Sequence, residues 1–155
     1  MSEIQRLAGQ IRRGYHGPAW HGPAIVELLR DVTAEEAAAR PIAGSHSIWE
    51  LTTHLKSWSE FVLGRLRGAS GEVEEAQNFP QPSAVSPDAW SQTLEELDGV
   101  KRELLSDVEH LAIERLDEPV AGRDYELDVL LRGVVEHDAY HGGQIAILKN
   151  ALRGR

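Results

Sequence analysis

The chain has 155 residues, a length typical of a single domain, here spanning residues 1–155. Hydrophobic residues make up 41% and charged residues 26%, a globular mixture that excludes wholesale disorder and fibrous architectures. Cysteine is absent, which excludes disulfides, thiolate metal ligands and a cysteine nucleophile. The formal net charge of -9 argues against nucleic acid as a partner, because binding phosphates requires clustered positive charge.

Membrane insertion and secretion are not indicated by the sequence. No apolar run approaches the roughly 20 residues that a membrane-spanning helix needs. The first residues contain no apolar stretch of the signal-peptide kind. We therefore expect a cytoplasmic protein without a membrane partner.

The first thirty residues predict one broken helix or two short ones. Ser2 and Gln5 fit a capping box at its start. Glycine and proline then interrupt the helical pattern three times between Gly14 and Pro23. The apolar spacing resumes with Ile25, Leu28 and Leu29.

Three longer helices are predicted after this broken start. Ser47 and Glu50 form a second capping box, and Ser86 followed by Pro87 marks another helix start. Apolar residues recur at steps of three and four, which is typical of helices with one buried face. The predicted helices lie near residues 47–67, 87–110 and 125–152.

The connection at residues 68–86 is long and carries glycine, proline, serine and acidic residues without a periodic apolar face. Such a segment could run the whole length of a bundle, so the helices that it joins could be parallel. Four helical units with one apolar face each predict an all-α four-helix bundle. The long connection between the second and third helices favours an up-down-down-up topology.

The last helix carries two histidines on its predicted buried stripe. His137 and His141 are four residues apart, so their side chains stack on one helical face. Two imidazoles at this spacing can reach one metal ion, with metal–nitrogen bonds near 2.0–2.1 Å. A buried histidine satisfied by hydrogen bonds is the alternative, and it explains one such residue better than two.

His54 on the predicted helix 47–67 strengthens the metal interpretation, because it flanks the buried stripe between Leu51 and Trp58. Three imidazoles from two packed helices would leave coordination positions open, as catalytic metal sites do. One metal is expected, since the Glu-x-x-His pairs of di-iron bundles are absent from these positions. Zinc is the first choice and nickel the second. His110 is expected to be exposed or to cap its helix.

Five further residues are weaker candidates. Glu50 could orient His54 or accept a proton, although its role in the capping box explains it as well. The remaining four could transfer protons or line a pocket near the mouth of the bundle, with local capping and core packing as alternatives. They are His21 and His46 for proton transfer or substrate contact, and Trp20 and Tyr140 for the pocket.

Two blocks of this sequence resemble the DinB-like superfamily, which includes the YfiT group of metalloenzymes. One block runs from His46 to His54, and the other runs from Gly133 to Ile145 and contains the H-x-x-x-H pair. The segment 20–23, Trp-His-Gly-Pro, is similar to one branch of the family. The resemblance covers nearly the whole chain.

The resemblance implies a four-helix bundle, usually dimeric, with a metal triad at His54, His137 and His141. It also implies zinc or nickel as the metal, and low-molecular-weight thiols as cosubstrates of the relatives with known activity. A divalent metal on three neutral imidazoles can lower the pKa of a bound thiol or water. The resulting hypothesis is a thiol-dependent S-transferase acting on a small molecule. A metal-dependent hydrolase using water, and a stress protein that binds a metal or ligand without turnover, are the alternatives.

Overall fold

The computed structural model describes residues 1–154, and no β-strand forms within them. The all-α prediction is therefore confirmed. None of the helices in this part of the chain combines the length and apolarity needed to cross a membrane. The helices are α1 Glu3–His16, α2 Ile25–Leu29, α3 Ala34–Ala38, α4 Ile48–Leu66, α5 Glu75–Asn78, α6 Pro87–Glu109 and α7 Leu127–Leu152, with a short 3-10 helix at Ile113–Asp117.

The helix starts follow the capping signals of the sequence. In α4, the Ser47 hydroxyl accepts a hydrogen bond from the Glu50 backbone N–H at 3.2 Å, and the Glu50 carboxylate accepts one from the Ser47 N–H at 2.7 Å. Ser2 and Gln5 form a reciprocal pair of the same kind at the start of α1. Ser86 caps α6, with Pro87 as its first residue. These contacts satisfy backbone donors that have no partner inside a helix, which explains why the helices begin where they do.

Three short helical segments were not predicted from the sequence. They are α3, α5 and the 3-10 helix, each of five residues or fewer, which is too short to display a periodic apolar face. The last helix also begins two residues later than the predicted Tyr125. Backbone hydrogen bonds from Val120 to Tyr125 and from Leu127 to Glu118, both 3.0 Å, hold the preceding residues in a turn.

Side-chain contacts between α4 and α6 follow the same order along both helices. Near their starts, the Trp49 indole N–H donates to the Thr93 hydroxyl at 3.1 Å. Toward their ends, Arg67 just beyond α4 forms an ion pair with Glu103 at 3.0 Å. This order favours a parallel arrangement of these neighbours, and the up-down-down-up path remains a prediction.

Two apolar clusters form the core. Toward the end of α7 the first cluster packs α2, α3 and the start of α4 against residues such as Ile145 and Leu148. Around the start of α7 the second cluster packs α1 and the later turns of α4 against residues such as Leu127, Leu131 and Val134. Residues 136–144 of α7 lie between these two groups, and there the helix carries polar side chains inward.

Candidate metal centre

Three histidines meet between the two apolar clusters. His54 comes from the second turn of α4, and His137 and His141 come from successive turns of α7. One nitrogen from each ring lies within 4.8 Å of the other two. Nε2 of His54 is 3.0 Å from Nε2 of His137, whereas nitrogens bound to one tetrahedral zinc ion lie about 3.4 Å apart. The structure thus brings together the three residues that the sequence indicated as metal ligands.

Hydrogen bonds to the other ring nitrogens define the tautomers of two of these histidines. Nδ1 of His54 is 2.7 Å from the backbone carbonyl oxygen of Asn78. Nδ1 of His141 is 2.6 Å from Oε1 of Gln144. Because both oxygens only accept hydrogen bonds, each Nδ1 carries the proton and each Nε2 keeps its lone pair. This is the tautomer that binds a metal through Nε2 with an outer hydrogen bond to orient the ring.

Burial keeps all three imidazoles neutral near neutral pH. It lowers the pKa of His54 to about 4 and that of His137 to about 3, and the neighbouring rings of the cluster push both values the same way. Burial also lowers the pKa of His141. A neutral imidazole is the form that ligates a metal. The donor set therefore fits a divalent metal ion.

The segment 77–80, which comprises the end of α5 and the two residues after it, packs directly on His54. Phe79 stacks on the His54 ring with centroids 4.0 Å apart and an interplanar angle of 3°. The Trp58 indole N–H donates to the Asn78 side-chain oxygen at 3.0 Å, beside the backbone carbonyl that orients His54. These contacts hold the ring from one edge and one face. The sequence indicated only a long connection here, since the segment has no periodic pattern.

A buried ion pair lies beside the histidines. Nζ of Lys101, from α6, is 2.6 Å and 2.7 Å from the two carboxylate oxygens of Asp138. Their side chains are only 2% and 1% exposed. This pair was not predicted, because the predicted buried stripe of the last helix runs through His137 rather than through its neighbour Asp138. The buried positions of α7 instead include Leu131 and Asp138, and His137 is half-buried.

Two candidates lie next to the cluster without entering it. His46 is exposed and stacks on the far face of Phe79, with centroids 3.7 Å apart, so the phenyl ring separates it from His54. Glu50 is buried, and one carboxylate oxygen accepts from the capping N–H at the start of α4. The other oxygen accepts from Arg40 at 2.6 Å. Glu50 therefore acts as a helix cap, as its capping-box spacing predicts, and as an ion-pair partner.

The remaining candidates are exposed. His21 and Trp20 line a surface groove whose lining includes none of the clustered histidines, so the structure does not bring these two residues to the centre. Tyr140 is exposed as well, with its ring centroid 5.0 Å from that of His141. His110 is exposed at the end of α6, where Nδ1 lies 2.8 Å from the Ser106 carbonyl oxygen.

A cavity of about 270 Å³ opens beside the histidines, and we refer to it as the α4–α7 cavity. His137 forms part of its wall, together with the Lys101–Asp138 pair. Its apolar lining comes mainly from α4 and α7 and includes Trp58, Val62, Leu130 and Val134.

One comparison with known proteins identifies the family of the chain. A sequence model described as the DinB superfamily matches residues 20–145, which include α4, α6 and all three clustered histidines. Comparisons with curated proteins and with solved structures find no match. Because the family match spans well over half of the chain, the protein belongs to the DinB superfamily.

Proposed function

We propose that the protein is a metal-dependent enzyme that activates an exogenous low-molecular-weight thiol and transfers it to a small electrophilic substrate. In such a reaction the thiol sulfur bonds to the electrophilic carbon, and the leaving group departs together with the thiol proton. The observation that supports the proposal is the cluster of three neutral histidines, two of which have their metal-binding tautomer set by hydrogen bonds. Choosing a thiol over water follows the resemblance noted for the two histidine blocks.

Each part of the centre has a role in this proposal. His54, His137 and His141 would hold one divalent metal, with zinc as the first choice and nickel as the second. When bound, the metal supplies a positive charge that lowers the pKa of a thiol or of water. Asn78 and Gln144 keep two of the rings oriented. The thiol must come from a cosubstrate because the chain contains no cysteine.

Metal content tests the centre before any activity is measured. We expect about one zinc or nickel ion per chain in the wild-type protein, determined by elemental analysis after dialysis. His137→Ala should lose most of this metal, because two imidazoles bind a divalent ion far more weakly than three. His110→Ala, which changes an exposed capping histidine, is the matched control and should keep it. Full metal content in His137→Ala would overturn the assignment of the ligands.

Turnover assays on the metal-loaded protein separate the candidate functions. The proposal expects conjugation of model electrophiles that requires both the metal and an added thiol. Hydrolysis of esters or amides that is metal-dependent and ignores added thiol would assign a hydrolase instead. The hydrolase, as the second candidate function, is supported by the same set of three nitrogen donors, because three protein ligands would leave coordination positions of the metal free for water. Metal binding without turnover across a broad panel would favour the non-catalytic binding protein.

Three further expectations, on oligomeric state, location and His46, belong to the same proposal. The protein is expected to act as a homodimer in the cytoplasm, as its resemblance and its sequence composition suggest. Sedimentation that shows a monomer at micromolar concentration would contradict the dimer. Catalytic assistance from His46, the exposed histidine nearest the stacked Phe79, is expected to be small, since Phe79 lies between it and His54.

A further inference from the structure

The α4–α7 cavity has the size of a small-molecule site. Its volume is about 270 Å³, whereas an apolar protein cavity of about 150 Å³ suffices to bind benzene. One aromatic ring with a short substituent therefore fits. His137 forms part of the wall, so a molecule in the cavity would lie against one of the three clustered histidines.

Four polar side chains of the wall, those of Trp58, Ser59, Lys101 and Asp138, are already paired with other protein atoms. Lys101 contacts both carboxylate oxygens of Asp138, so the two charges neutralise each other. The Ser59 hydroxyl donates to a backbone carbonyl of α4 at 2.6 Å, and the Trp58 indole N–H donates to Asn78. Glu136 also borders the cavity, but it is exposed, where water screens its charge. The wall therefore offers little to compensate a charged ligand for losing its hydration.

Gly133 keeps one side of this cavity open. It lies in the interior of α7, where glycine is less favourable than alanine. A Cβ atom built on Gly133 would meet nothing within 4 Å, so close packing does not require the glycine. A larger side chain at this position would extend into the space that the residue lines.

We propose that the α4–α7 cavity binds the uncharged apolar part of the substrate, namely a single aromatic ring or an alkyl group of similar size. His137, which lines the cavity, is also one of the three proposed metal ligands. The identification of this ligand as a substrate rests on the proposed function, whereas the binding of an uncharged ring does not.

Three probes of the same shape test the ligand class. They are 4-fluorobenzyl alcohol, 4-fluorobenzoate and 4-fluorobenzylammonium, which are uncharged, anionic and cationic at neutral pH. Fluorine NMR on the metal-free protein measures their dissociation constants without any need for activity. We expect the alcohol to bind at least tenfold more tightly than either ion. Equal binding of all three probes, or no binding of the alcohol, would overturn the proposal.

A pair of glycine variants tests the location. Gly133→Leu should weaken binding of the alcohol at least tenfold, because the new side chain fills the cavity. Gly99→Leu is the matched control, since Gly99 also lies inside a long helix with nothing within 4 Å of a Cβ but is not among the lining residues. Unchanged binding in Gly133→Leu, with circular dichroism confirming the fold, would refute the location. Metal content measured on the same variants keeps this result separate from the fate of the metal centre.

Discussion

Removing one charge from the buried Lys101–Asp138 pair should destabilise the protein severely. In Lys101→Met the Asp138 carboxylate, 1% exposed, loses the ammonium that contacts both of its oxygens. Breaking a buried pair in this way costs about 3–5 kcal/mol, because the remaining charge is neither solvated nor paired. The free energy of unfolding of a natural domain is only about 5–15 kcal/mol. The substitution should therefore remove between about a fifth and all of the stability.

Thermal unfolding and urea unfolding, both followed by far-UV circular dichroism, measure this loss. For a domain of this size, each kcal/mol corresponds to about 2–4 °C in Tm, so Lys101→Met should lower Tm by about 6–20 °C. The midpoint urea concentration should fall while the slope of the transition stays the same, because the area exposed on unfolding does not change.

Two companion variants identify the cause. Lys101→Met combined with Asp138→Leu removes both charges and should recover most of the loss, since apolar side chains replace a buried pair at little cost. Arg102→Met breaks an ion pair with Asp98 whose side chains are 68% and 39% exposed, and it should cost less than about 1 kcal/mol. A loss below about 1 kcal/mol in Lys101→Met, or a double variant as unstable as the single one, would refute this reasoning.

Three other predictions address the centre and the helix that carries it. Trp58→Phe removes the hydrogen bond to Asn78, the residue whose backbone carbonyl orients His54. Chelator competition should then show zinc affinity lowered about tenfold, which is typical when a residue that orients a metal ligand is disturbed. Ser47→Ala removes the side-chain cap of α4 and should cost about 1 kcal/mol in urea unfolding. The pKa values of His54 and His137, about 4 and 3 when folded, lie below their usual value of about 6.5. The metal-free protein should therefore lose stability as the pH falls from about 6.5 toward 4, because the unfolded chain then binds protons that the folded chain does not. A Tm that stays constant over this range would contradict the prediction.

The long helices could be predicted because their signals are local. The capping residues Ser47 and Ser86 and the apolar repeats behind them lie within a few residues of the features that they determine. The approach of His54 to His137 and His141 was also predictable, because helical spacing places the latter two on one face and the apolar stripes point both helices inward.

The contacts that orient the histidines were harder to predict. Gln144 lies three residues after His141 on the same helix, so helical spacing alone indicates that the two side chains can meet. Asn78 and Phe79 had no such signal, because their position depends on how a long irregular segment packs against α4. Lys101 and Asp138 fall at positions that the helical repeat of apolar residues places in the core. A charged residue at such a position can be identified as buried only when its partner on another helix is known.

The segment 77–80 also restricts how the length of this chain can vary. Connections between helices commonly tolerate insertions, since little depends on their path. Here the Asn78 carbonyl and the Phe79 ring contact the same imidazole from different sides, so an inserted residue between them would separate an edge contact from a face contact. The exposed residues 83–85 carry no comparable contact to the centre. An engineered linker, tag or protease site is therefore best accommodated after Pro82, whereas the same insertion a few residues earlier would alter the surroundings of His54.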